Sequence, residues 1–413
     1  MAFGDAWARF DYSSDRVVCE SRLSPDSEDI DLDTGKDICR AICFYLPQFH
    51  PIPENDLWWG EGFTEWANVA SATPRFKGHH QPHLPGALGF YDLRLEEARI
   101  AQAALAERFG IHGFCYYHYW FSGRRLLGRP LEEMLASGKP DFPFCLCWAN
   151  ETWSRAWSGR EHDVLIRQEY SNEDHQKHIA WLARVFDDRR YIRVSGRPLF
   201  LIYRPDSIPE LARVLDEWKS FCRRLGGVEP FFCAVSTGFS TLDDEALRAS
   251  GFDAIVPFEP NRQHFPAARN ATGHAVALAR RILPQRLYDA LRNNRWVAPT
   301  RINTLVDYAA YVDASIERMP APTNPTFPCV FPSWDNSARR VAATIIQNSS
   351  PDQYARWLSD AIERVSAYPP DSRLVFINAW NEWAEGCHLE PDSKHGMAFL
   401  EATGRCLGSV RPK

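Results

Sequence analysis

The stretch Val375-Phe376-Ile377-Asn378-Ala379-Trp380-Asn381-Glu382-Trp383-Ala384-Glu385-Gly386 runs from strand-type apolar residues into an Asn-Glu pair, and a second carboxylate follows three residues later. Breaking a glycosidic bond takes two carboxylates around one sugar, one giving a proton and the other acting as base or nucleophile. Barrel enzymes present such groups at the carboxyl ends of their strands. The plainer reading is a helix whose first turn carries acids to suit its dipole. Trp380 and Trp383 beside the acids favour the sugar chemistry, because flat aromatic faces stack on the C–H faces of sugar rings. A second pair, Asn150-Glu151, stands between Trp148 and Trp153.

The elements that must position these residues read as eight short apolar runs, at 41–46, 113–118, 144–148, 199–203, 231–235, 254–257, 328–331 and 374–378. Helical apolar spacing separates them, at 95–109, 175–186, 209–225 and 353–365. Continuous apolar runs alternating with helices imply buried parallel strands joined by crossovers, and eight such units close a (β/α)8 barrel. An open doubly wound sheet would carry a Gly-rich phosphate loop after a strand, and none is present. The expected organisation is therefore a Ser- and Asp-rich flexible leader over 1–37 and one barrel over 38–413. The connection at about 261–320 reads as a helical insertion between strands six and seven. Its first part, from Arg262 to Arg301, sets eight arginines against the single acid Asp289, with a break expected at Pro284. Such a patch suits an anionic glycan, a lipid-linked carrier or a membrane surface. The plainer reading is a solvated helix pair on the barrel flank.

Residues just after barrel strands converge on one face, which nominates a set of substrate-binding residues. They are Gln48 and His50, then Tyr117, His118 and Trp120, then Trp148, Asn150 and Glu151. Tyr203, Arg204, Glu259, Trp334, Asp335, Trp380, Asn381 and Trp383 follow, with Glu382 and Glu385 as the catalytic acids. The long first loop adds Trp58, Trp59, Glu65 and Trp66 as walls. Polar groups beside aromatics at nearly every strand end suit a saccharide, which offers hydroxyls at its rim and apolar ring faces.

Other chemistries are poorly served. A net charge of −6 argues against a general nucleic-acid binder. There is no Gly-x-Ser-x-Gly elbow and no Asp-x-Asp pair in a nucleotide-binding half, and no cofactor is called for. His79, His80 and His83 cluster, but Pro82 interrupts them and no paired acids lie nearby in sequence, so no metal is expected. The eleven cysteines form no regular framework, and Cys115, Cys145, Cys147, Cys233 and Cys329 sit in apolar runs as small hydrophobes. Together with a first segment lacking a charged start and apolar core, they point to a cytoplasmic protein without a transmembrane segment.

Several segments resemble the WbsX-like family: Phe44-Tyr45-Leu46-Pro47-Gln48-Phe49-His50, the loop from Trp58 to Trp66, Trp148-Ala149-Asn150-Glu151, Phe331-Pro332-Ser333-Trp334-Asp335-Asn336 and Trp380 to Gly386. That family is found in bacterial surface-polysaccharide loci and is related to glycoside hydrolase family 99, whose members are (β/α)8 barrels cleaving α-mannosidic linkages with retention. The resemblance implies a carbohydrate-active enzyme, with hydrolysis of α-mannosidic or α-rhamnosidic bonds as its first form. A polysaccharide-assembling glycosyltransferase is the second form, and a non-catalytic carbohydrate-binding barrel the third. It further implies that Glu382 activates the sugar's own 2-hydroxyl and that Glu385 is the acid, kept protonated at rest by a raised pKa.

Overall fold

Each of the eight apolar runs forms a strand in the computed structural model, which describes residues 39–155, 160–265, 303–318 and 325–409. The strands are β1 (Arg40–Tyr45), β2 (Ile111–Phe121), β3 (Phe144–Trp148), β4 (Arg197–Ile202), β5 (Phe231–Ser236), β6 (Ala254–Pro257), β7 (Cys329–Val330) and β8 (Leu374–Ile377). Neighbours in sequence are parallel neighbours in space from β1 to β6, and β8 lies between β1 and β7. The circle closes where the Ile255 amide donates to the Pro325 carbonyl (3.2 Å) and the Phe327 amide donates to the Ile255 carbonyl (2.9 Å). The expected (β/α)8 barrel is thus borne out.

A helix follows every strand: α1 (Glu96–Arg108), α2 (Arg129–Ser137), α3 (Asn172–Phe186), α4 (Leu211–Arg224), α5 (Asp244–Ala249), α6 (Tyr308–Arg318), α7 (Pro351–Val365) and α8 (Ala398–Cys406). Their starts are locally encoded. The Ser171 hydroxyl accepts from the Asp174 amide ahead of α3, and the Ser350 hydroxyl accepts from the Gln353 amide ahead of α7, each satisfying an orphan donor of the first turn. Both faces of the strands are covered, which is why they read as unbroken apolar runs rather than alternating ones.

Alternation still decides which side chains enter the barrel. Phe44 of β1 packs against Tyr117 of β2, Phe258 after β6 and Phe376 of β8, so these rings fill the interior from four staves. Tyr45, the next residue, turns outward and donates to Gln102 on α1 (2.7 Å). The five cysteines named above are all buried as small apolar fillers, and none of the described cysteines forms a disulfide.

Two accessory pieces build the carboxyl-end face. A small sheet pairs Thr304–Asp307 in parallel with Thr344–Gln347, which in turn pairs antiparallel with Trp334–Asp335. A two-residue hairpin pairs Asn381–Glu382 with Cys387–His388 immediately after β8. The leader over 1–37, Pro284 and nearly all of the arginine-rich stretch lie outside the described residues. The described end of the insertion supplies a strand of the small sheet and α6. Among the described residues no helix is long and apolar enough to cross a membrane.

Candidate active site

At the carboxyl end of the barrel, one buried guanidinium gathers three carboxylates. Arg339 reaches Glu65 through Nε (2.7 Å), Glu382 through Nη2 (3.0 Å) and Glu385 through Nη1 (3.0 Å). The four residues come from three loops far apart in sequence. Glu65 opens the helix Glu65–Ser71 in the loop after β1, and its amide donates to the Gln48 carbonyl (3.0 Å). Arg339 follows the turn Asn336–Ala338 in the loop after β7. Arg75 clamps that loop through the carbonyls of Ser337 and Val341 (both 2.6 Å).

Glu382 and Glu385 leave β8 on the hairpin and its tight turn Trp383–Glu385. The turn ends at Gly386, whose φ is +55°, and an added Cβ there would lie 3.0 Å from the Asp335 backbone. Only glycine meets both conditions without strain. Asp335 itself is a buttress. It accepts from His79 Nε2 (2.7 Å), Gln81 Nε2 (2.8 Å) and the Ser337 amide (2.9 Å).

Burial pushes the Glu382 carboxyl up to about 8, with Arg339 pulling it down and the charges of Glu385 and Glu65 pushing it further up. Three carboxylates against one guanidinium would leave surplus negative charge in a poorly solvated place, so a proton is retained at neutral pH. That proton is held at Glu382, the deeper of the two hairpin acids: its side chain is 8% exposed, and that of Glu385 is 24% exposed.

The nominated residues separate into those that reach this centre and those that hold it. Tyr117 and Tyr203 lie close enough to feel its charge. Burial raises both phenols, and the charge of Glu382 adds to that on each, with Glu385 adding at Tyr203. Trp58 is half-buried, edge-on to Trp153 at 5.8 Å, in the small cluster that includes Tyr119. Trp59 is half-buried against Phe63 in the same loop.

His118 and Trp120 point the other way, into the helical layer. The two ring nitrogens of His118 and His178 lie 2.9 Å apart, and Trp120 donates to Asp174 (2.9 Å). Period-two alternation along β2 puts Tyr117 and Tyr119 on the inner face and these two on the outer face. Tyr119, whose phenol is raised by burial and then by the charge of Glu382, shares the inner face with Tyr117. Trp148 is likewise outward, stacked near Trp218 at 5.9 Å. Glu259 turns outward beside the inward Phe258 and holds the Tyr311 hydroxyl and His264 (2.6 Å).

The remaining residues are supports. Trp380 is wholly buried against Phe114, and Trp66 donates to the Tyr91 carbonyl (2.8 Å). Trp383 donates to Glu390 (2.6 Å), a carboxyl pushed by burial up to about 7 and also bound by Gln102 and Tyr91. Gln48 and His50 are buried, and burial first of all lowers His50 to about 4. The charges acting on His50 are Asp92, Arg129 and Arg94 rather than the two acids. Trp334 is half-buried on the small sheet. Asn150 and Asn381 bracket backbone, and Arg204 pairs with Glu151 (3.0 Å) and Asp206.

Two features escaped sequence reasoning. Arg339 sits in an unremarkable Ser-Ala-Arg-Arg run, nine residues past the end of β7, and only its acid partners mark it. Glu390, five residues beyond Glu385, follows a hairpin that spacing alone does not reveal.

With this geometry in hand, the comparisons with known proteins place the chain. The model of the glycosyltransferase WbsX family matches residues 41–403. The chain belongs to the WbsX family. Proteins called WxcX from two strains of Xanthomonas campestris pv. campestris, ATCC 33913 and B100, are each 43% identical over 368 residues. That match covers 89% of this chain and 49% of each relative, so the chain spans about half the length of the curated relatives it matches. Among solved structures, the GH99 endo-α-mannosidase from Bacteroides thetaiotaomicron aligns with a TM-score of 0.52 at 14% identity, covering 90% of this chain and 96% of that one. A glycoside hydrolase-like protein aligns with a TM-score of 0.55 at 12% identity, covering 90% and 94%. At such identities the likeness shows the fold: this WbsX chain shares the barrel of the GH99 enzymes.

Proposed function

We propose that this chain is a carbohydrate-active enzyme that cleaves α-mannosidic or α-rhamnosidic linkages of a bacterial polysaccharide with retention of configuration. The single observation that carries the reading is the convergence of Glu382 and Glu385 on Arg339 at the catalytic end of the barrel. One guanidinium holding both carboxylates brings them within reach of one sugar ring, as paired-acid chemistry requires. The WbsX name ties the family to glycosyl transfer, and a structural neighbour that is an endo-α-mannosidase motivates the manno-configured substrate.

In the reading we favour, Glu382 removes the proton of the sugar 2-hydroxyl, whose oxygen attacks the anomeric carbon. The bond to the leaving oxygen breaks as Glu385 protonates it, which leaves a 1,2-anhydro sugar. Glu385, now a carboxylate, takes a proton from water, the water oxygen opens the three-membered ring at the anomeric carbon, and Glu382 returns its proton to O2. Once ionised, the buried Glu382 is a stronger base than an ordinary carboxylate, and the reacting form is the one in which the proton it holds at rest sits on Glu385 instead. The greater exposure of Glu385 suits contact with the leaving group and with water. Tyr117, Tyr119 and Tyr203 line the same centre with faces and hydroxyls a saccharide needs.

The family's own description favours a second reading, transfer to an acceptor sugar rather than to water. Proton NMR on the full protein incubated with α-mannans, α-rhamnans and bacterial polysaccharide separates the two. New reducing ends appearing first in the α-configuration, and lost in Glu385→Gln, are the expected result. Chain extension that needs a lipid- or nucleotide-linked donor, without new reducing ends, would move the assignment to the transferase.

A further inference from the structure

Behind the hairpin that carries Glu382, a histidine of the first loop meets a histidine and an aspartate from the other end of the chain. We propose that His83, His388 and Asp392 form a binding site for a divalent first-row transition cation of the zinc type, which clips the loop after β1 to that hairpin.

One ligand-capable atom from each residue lies within 4.8 Å of the other two. His83 Nδ1 and His388 Nε2 are 3.2 Å apart. A tetrahedral ion with metal–nitrogen bonds of about 2.0–2.1 Å would hold two imidazole nitrogens about 3.3 Å apart. The pair is thus already at chelating separation. His388 is also set up as a ligand. Its Nδ1 lies 3.0 Å from the Glu390 carbonyl oxygen, which can only accept, so the proton is on Nδ1 and the Nε2 lone pair faces His83. The ring is fixed by stacking on Trp383, with centroids 3.7 Å apart and planes 15° from parallel.

Asp392 is buried, and its carboxylate accepts from the amides of Lys394 (2.9 Å) and His395, which orients it. The two loops already touch here, since the Gly86 amide donates to the Pro391 carbonyl (2.7 Å). A fourth side chain stands within a rotation. The His80 ring is 5.2 Å from that of His83, and its buried Nε2 has no hydrogen-bond partner among the described residues. The exposed Lys394 and the half-buried His395 also face the cluster, as does Asp335, which is held by His79.

Without an ion, the histidine pair is joined by one N–H···N bond. Coordination replaces it when His83 carries its proton on Nε2 instead, with no net proton released. Two imidazoles and one carboxylate select a transition ion over magnesium or calcium, which take oxygen ligands. The site braces the hairpin rather than touching the reacting atoms. His388 is paired with Asn381, and Glu382 is paired with Cys387, so alternation directs Glu382 to the opposite face.

The test uses the full chain stripped with EDTA, desalted and titrated with zinc sulfate. Metal content is measured by inductively coupled plasma mass spectrometry, stability by thermal melting, and the ligand shell by zinc-edge X-ray absorption. The expected result is about one zinc per chain, a raised melting temperature, and a shell of nitrogen and oxygen at about 2.0–2.2 Å. His83→Gln and Asp392→Asn should each weaken binding by on the order of ten-fold or more. Sub-stoichiometric zinc with no melting shift in the wild-type chain would overturn the site, whatever the variants do. A sulfur-containing shell, or unchanged affinity in both variants, would overturn it equally. These readouts do not involve turnover, so they stand apart from the outcome of the glycosidic test.

Discussion

The two Asn-Glu pairs begin as the same device and end differently. Asn150, after β3, accepts from the Arg204 amide (2.8 Å) and donates to the Arg204 carbonyl (2.8 Å) after β4. Asn381, after β8, accepts from the Leu46 amide (2.7 Å) and donates to the Leu46 carbonyl (3.0 Å) after β1. In both, an amide side chain imitates a strand and ties one stave to the next beyond the sheet. The following glutamates then part. Glu151 is 48% exposed and pairs with Arg204 at the rim, whereas Glu382 is 8% exposed and meets Arg339 among three acids. An identical local motif therefore yields a solvated ion pair in one place and a perturbed carboxyl in the other. Depth and neighbours make the difference.

The largest effect expected from this contrast is on turnover. Glu382→Gln and Glu385→Gln should each cut the rate on a cleaved polysaccharide by roughly 10²–10⁴-fold. Glu151→Gln should leave it near wild type, as followed by reducing-end release. Equal losses at Glu151 and Glu382 would erase the distinction between the pairs. Next comes stability at the centre. Arg339→Met strands buried carboxylates and should cost roughly 3–5 kcal/mol in denaturant melts near neutral pH.

The pH dependence sharpens the same point. The folded Glu382 carboxyl titrates at about 8 against an ordinary value of 4.5, so between those values the folded state holds a proton that the unfolded state has lost. The contribution of this group therefore falls as pH rises through that window. Melts from pH 5 to 8 should show a decline that Glu382→Gln flattens and Glu151→Gln does not. If Glu382 is the base, kcat/KM also climbs toward pH 8. A fall over that range would assign it as the acid instead. The smaller expectation concerns the shared frame. Asn150→Ala and Asn381→Ala each leave a backbone donor and acceptor unpaired, and each should cost about 1–3 kcal/mol in the same melts. The smallest is Glu151→Gln itself, whose rim ion pair is worth about 0–1 kcal/mol.

Much of this protein was decided within short stretches of chain. The eight apolar runs mark the eight staves, because strands covered on both faces must be apolar throughout. The acids after the last run fall at the end of the barrel where loops converge, because a parallel barrel has one such end. Tertiary structure alone decided which neighbouring residues look inward. His118 and Trp120 read as well as Tyr117 and Tyr119, yet a residue's face depends on the register of β2 against β1 and β3, which no local pattern specifies. It also decided that Arg339 would gather Glu65, Glu382 and Glu385, and that His83 would meet His388 across 305 residues. Such contacts form only when the barrel closes and its loops pack, because attraction between charges or ligands acts over a few ångströms of space and is blind to sequence distance.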